Sequence, residues 1–205
     1  MRKNILGTML ALAMVTLAAP SYAQFGGLGN ALGGGSSSSG GVSADSLVKS
    51  YVGGAQQVMN ADTFFLKALG RKEEAERSEL EAKNLTSGAT VSALQDAAKV
   101  QSESSKALQA AMGGEKITMS ADSKKLYAQG LVELVKGLKT YTGMSGDLKN
   151  FKPSVSSLGS SAAAAAFIVK SMPDTLSGLK DTLKRSIDFA KENKIDIPAD
   201  GTKSL

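Results

Sequence analysis

"SADSKKLYAQGLVELVKGLKTYTGMSGDLKN", Ser120 to Asn150, is the most regular stretch of the chain. Tyr127, Leu131, Leu134, Leu138 and Tyr141 step by four and three, with Leu126 and Val135 alongside. That spacing lays one apolar stripe along an amphipathic α-helix. Pro153 closes the segment.

The same period recurs on either side. Leu47, Tyr51, Ala55, Val58, Phe65 and Leu69 form a stripe that begins near Val42, with Ser43 and Asp45 as caps and Gly70 as a stop or bend. RKEEAERSELEAKN follows, pairing Glu73 with Arg77 and Glu79 with Lys83 four residues apart, and has few large apolar side chains. It reads as a solvated helical extension held by exposed ion pairs. Leu85 to Gly88 turns the chain. A further helix runs from about Ala89 to Met112 on Val91, Leu94, Ala98, Leu108 and Met112, and Gly113-Gly114 ends it. The last helical stretch spans about Ser154 to Met172. It resumes from Asp174 to Lys194 on Leu176, Leu179, Leu183, Ile187 and Ala190. Pro173 between the two predicts a kink or a fresh start.

No stretch alternates with period two long enough for a strand. Four main helices of comparable length with short connections predict an all-α fold, an elongated antiparallel four-helix bundle. Aromatic residues are 5% of the chain and tryptophan is absent, so the core should be thin and rich in Ala, Leu and Val. Glycines within the helical segments (Gly53, Gly54, Gly130, Gly137, Gly178) cost helix propensity, and several should mark close helix contacts or bends.

The N-terminus has a different character. Arg2 and Lys3 precede an uncharged, mostly apolar run from Ile5 to Ala19, and Ser21-Tyr22-Ala23 suits a signal peptidase. The run is shorter than the roughly 20 residues a membrane-spanning helix needs. Residues 1–23 therefore read as a cleaved bacterial secretory signal, with the mature chain beginning at Gln24 in the periplasm or outside the cell. Its removal takes away two basic residues and no acidic one, and the net charge falls from +5 to +3. FGGLGNALGGGSSSSGG, Phe25 to Gly41, is too rich in Gly and Ser to repay the entropy of ordering. Residues 24–41 read as a flexible tail, and residues 42–205 as a single helical domain.

Several chemistries are excluded by what the chain lacks. It has no cysteine and no histidine. That removes disulfides, thiol and imidazole catalysis, and most transition-metal sites. Ser46-x-x-Lys49 and Ser177-x-x-Lys180 match a Ser-Lys nucleophile motif but lack its companion motifs. The glutamates at 73, 74, 76, 79 and 81 are interleaved with Arg71, Lys72, Arg77 and Lys83, which already neutralise them. The five methionines beyond the leader are scattered as core-filling residues are. No catalytic, metal or cofactor site is expected, and the mild, interspersed charge does not point to nucleic acid.

One local feature stands out, SSAAAAAFIV at Ser160 to Val169. Its small side chains permit close approach of another helix. Ala162, Ala165, Ala166, Ile168 and Val169 are the candidate lining of a groove for a partner or ligand. The expectation is a non-catalytic, exported binding protein, a protein–protein accessory or scaffold module whose partner is another envelope or secreted protein. The alternative is a carrier of a lipid or other apolar small molecule in an Ala-lined groove. Peripheral contact with a membrane surface is a weaker expectation.

Overall fold

A computed structural model describes residues 42–114, 118–151 and 160–201, all within one compact unit that spans residues 40–205. The leader, the Gly/Ser tract and the start expected near Ser154 lie outside the described residues. Among the described residues every regular element is an α-helix: α1 (Ala44–Ala68), α2 (Lys72–Asn84), α3 (Val91–Met112), α4 (Ala121–Gly143), α5 (Ser145–Asn150) and α6 (Ser160–Glu192).

Side-chain caps start three of the long helices. Ser43 Oγ accepts from the Ser46 N–H at 3.1 Å, Thr90 Oγ1 from Ala93 at 3.3 Å, and Ser120 Oγ from Ser123 at 3.1 Å. Each cap satisfies a backbone donor that the first turn leaves free. α1 stops at Gly70, whose φ of 75° places it in the left-handed region. The Arg71 N–H then donates to the Leu66 carbonyl at 2.8 Å, and Gly70 to Lys67 at 3.2 Å. α6 ends the same way with Lys194 at φ 54°, Ile195 donating to Ala190 at 2.9 Å and Lys194 to Lys191 at 3.3 Å. This pair of bonds is the Schellman closure of a helix.

α1 packs against α2, α3, α4 and α6. Its expected stripe, Leu47 to Leu69, is buried, and so are Val48, Val52, Met59 and Leu66 on another side. A helix buried over most of its circumference sits at the centre of a fold. α4 is its main neighbour, and all five stepping residues from Tyr127 to Tyr141 are buried. An added Cβ at Gly54 would lie 2.7 Å from the Tyr141 ring, at Gly137 2.7 Å from Val58 Cγ2, and at Gly130 2.6 Å from the Phe65 ring. Positions fall along α4 as they rise along α1. Gly53 and Gly178 face open space and mark no contact.

Three expectations change. The segment after Gly70 is a separate helix, α2, rather than a solvated extension. Its small residues Ala75, Ser78 and Ala82 are buried. Ser78 Oγ donates to the Met59 carbonyl at 3.0 Å, and Gln56 Nε2 reaches the Leu85 carbonyl at 2.8 Å. The helix expected to reach Asn150 ends at Gly143, and the short α5 follows beyond the buried Met144. Most notably, α6 does not restart at Pro173 but continues through it. Ser171 Oγ donates to the Phe167 carbonyl at 3.0 Å, and Thr175 Oγ1 to the Ser171 carbonyl at 3.0 Å. Pro173 itself is on the exposed side, where water can solvate a backbone carbonyl that the missing N–H leaves free.

Candidate functional site

The alanine run occupies the first turns of α6, and helical periodicity divides it into two faces. Ala164, Ala165, Ile168 and Met172 are buried in the core. Ala162 is half-buried, whereas Ala166, Val169 and Pro173 are exposed, Val169 at 39%. The latter four are spaced i, i+4, i+7 and i+11, so they lie along one outward stripe. The five residues singled out in the sequence therefore do not share one groove. Ala165 and Ile168 support the packing of α6, and Ala162, Ala166 and Val169 belong to its outer face.

The outer stripe is apolar but thin. Alanine exposes about one methyl group, so close approach of a second surface is needed before much area is buried. Lys170 and Asp174, both exposed, flank it with opposite charges. The stripe residues themselves offer apolar contact.

The other candidates fall on open faces or are internally paired. Ser46, Lys49, Ser177 and Lys180 are all exposed. Glu79 bridges Lys67 and Lys83 at 2.7 Å each, Arg71 meets Glu74 at 3.4 Å, and Arg77 meets Glu103 at 2.7 Å. The hydrogen bonds from Lys67 and Lys83 hold the Glu79 carboxyl down at about 2. Met59, Met144 and Met172 are buried in the core. Among the described residues there is no group of three or more acidic side chains placed to share a cation, and no helix long and apolar enough to cross a membrane.

Two features had no clear signal in the sequence. Asp62, on α1, is 4% exposed, and no hydrogen bond or ion pair from the described residues reaches its carboxylate. Burial pushes its pKa well above the ordinary range. Tyr51 and Tyr141 pack ring against ring in the core with centroids 5.2 Å apart, and the half-buried Gln101 adjoins Tyr141. The tyrosines are recognisable as core residues in the periodicity, whereas Gln101 is not.

No family model matches the chain, and no curated protein or solved structure is significantly similar to it.

Proposed function

We propose that this chain is an exported, non-catalytic helical protein that acts by binding another protein of the bacterial envelope. The outer stripe of α6, Ala162, Ala166, Val169 and Pro173, is the proposed contact. We further propose that its scaffold is a four-helix bundle of α1, α3, α4 and α6, with α4 antiparallel to α1 and α2 as the short return between α1 and α3. The opposed order of contacts between α1 and α4 supports that arrangement.

The outer stripe carries the functional reading. A stripe of small or apolar positions that is open to solvent at Ala166, Val169 and Pro173 adds little to the core. On a partner it would permit the close helix approach that small side chains allow. The signal-like leader supports placing that partner in the envelope. Absence of histidine and cysteine from the whole sequence removes the commonest catalytic groups.

A photo-crosslinking residue at Val169 in the exported protein tests this. The reading expects one discrete protein adduct in envelope fractions, weakened by Ala166→Glu and missing when the probe is moved to Lys125 on α4. An adduct at Val169 no stronger than at Lys125 would overturn it. So would mass spectrometry showing a bound lipid in place of a protein adduct, which is the carrier outcome. The exported chain should begin at Gln24 on N-terminal sequencing, and a chain still carrying Met1 would remove the export part of the reading.

A further inference from the structure

α3 is nearly as long as α4 but buries far less. On α4 the side chains of Tyr127, Leu131, Leu134, Val135, Leu138 and Tyr141 are buried, whereas α3 buries only Leu94, Ala97, Ser104 and Leu108. Together with the half-buried Gln101 these four lie on one helix face. The middle of that face is Ala97, Gln101 and Ser104, which bring one methyl group and two polar groups to the seam. Such a face gains little from leaving water. Leu94 and Leu108 near its two ends supply most of the apolar grip, with Val91 and Met112 half-buried beyond them.

The polar bonds point the same way. α2 is fastened to α1 through Ser78 Oγ and the Met59 carbonyl at 3.0 Å, and Gln56 Nε2 reaches the Leu85 carbonyl at 2.8 Å. Thr140 Oγ1 of α4 donates to Gln57 Oε1 of α1 at 2.8 Å, and the Tyr127 phenol of α4 to the Ser186 carbonyl of α6 at 3.2 Å. Among the described residues α3 is joined to other helices by weaker bonds. Glu103 meets Arg77 of α2 at 2.7 Å, but both side chains are open to solvent and the pair is screened. Met112 Sδ lies 3.2 Å from Tyr127 Oη. A thioether is a weak acceptor, and that phenol has a single proton, which the Ser186 carbonyl also accepts. Gln101 lies beside Tyr141, and its amide nitrogen makes no hydrogen bond of ordinary geometry with the described residues. Glycines flank the helix at both ends. Gly88 precedes it with open space around its Cα, and Gly113-Gly114 follows it.

We propose that α3 is a hinged cover, which swings out as one unit between Gly88 and Gly113 while α1, α2, α4 and α6 stay packed. Its opening uncovers the interior beside Tyr127 and Tyr141. A segment with few buried apolar contacts and solvent-exposed bonds opens at a lower free energy than the whole domain. Small residues at its two ends absorb the backbone rotation that such a motion needs. The motion leaves the outer face of α6 in place, so it is independent of the binding role proposed for the outer stripe.

The test is amide hydrogen exchange of the full mature chain under native conditions, read residue by residue by NMR. The amides from Ala97 to Ser105, in the middle of α3, should share one level of protection, about a hundredfold below that of the slowest amides in α1 and α4. The same measurement is then made on Arg77→Cys with Glu103→Cys, before and after the two thiols are joined by a short bismaleimide. Only these thiols react, because the chain has no cysteine of its own. The bridge pins α3 to α2 and should raise protection in the middle of α3 toward that of α1 and α4. Middle amides of α3 as protected as those of α1 and α4 would overturn the proposal, even if the helix ends fray. Protection in α3 unchanged by the bridge would also overturn it, as would amides of α2 that exchange together with those of α3.

Discussion

Alanine in place of a mid-helix glycine normally stabilises a protein by about 0.5–1 kcal/mol, and the glycines here divide into those that obey and those that cannot. Gly53 and Gly178 face open space, so Gly53→Ala and Gly178→Ala should each raise the urea midpoint with no change of slope. Gly137 is the opposite case. Its Cβ would lie 2.7 Å from Val58 Cγ2 and 3.3 Å from both the Gly54 carbonyl oxygen and the Val58 nitrogen. Two of those three neighbours are backbone and cannot turn aside, so Gly137→Ala should destabilise by about 1–3 kcal/mol through overpacking. The sequence marks all these glycines as costly to a helix. Which of them lie on the α1–α4 seam depends on the rotation of two helices about their axes, and no local pattern encodes that.

At the scale of elements, large apolar residues were legible and small ones were not. The stripes of α1 and α4 could be read because Leu, Tyr, Val and Phe recur at helical spacing, and they are buried as expected. α2 was obscured because its buried face is Ala75, Ser78 and Ala82, which carry little hydrophobic signal among so many charges. α6 was obscured by Pro173, whose cost depends on where the freed carbonyl lies. Pro173→Ala restores the missing N–H and should raise stability, by up to about 3 kcal/mol. The circular dichroism signal should stay nearly constant, because the helix is already continuous. A large gain of helical signal would contradict the unbroken α6. The alanine run allows a paired comparison on the same helix. Ala165→Leu places three extra carbons in the core and should cost about 1–3 kcal/mol. Ala166→Leu, one residue on, is exposed and should fall within about 0.5 kcal/mol of the parent. Equal effects at the two positions would mean that the inner and outer faces are wrongly assigned.

For the molecule as a whole, two carboxyl groups act on stability in opposite senses. Glu79 is held down at about 2 by hydrogen bonds from Lys67 and Lys83. Its contribution is present above the ordinary glutamate range and is lost as pH falls toward 2, and because it lies at the surface it is small and screened by salt. Asp62 works the other way. Desolvation raises its folded pKa well above the ordinary aspartate range. Below that value the carboxyl is protonated in both states and is neutral in effect. As pH rises, the unfolded chain releases the proton first, the unfolded state gains, and stability falls until the folded carboxyl also ionises. Among the described residues Asp62 is the only buried side chain of a charged type, so this slope should dominate the fall of stability between about pH 4 and 7. Asp62→Asn keeps the shape and removes the ionisation. The variant should match the parent in urea unfolding near pH 3 and exceed it at pH 7, with the gap opening steadily between. Parallel curves for parent and variant across that range would show that Asp62 titrates normally in the folded protein, and its environment would then have to admit water.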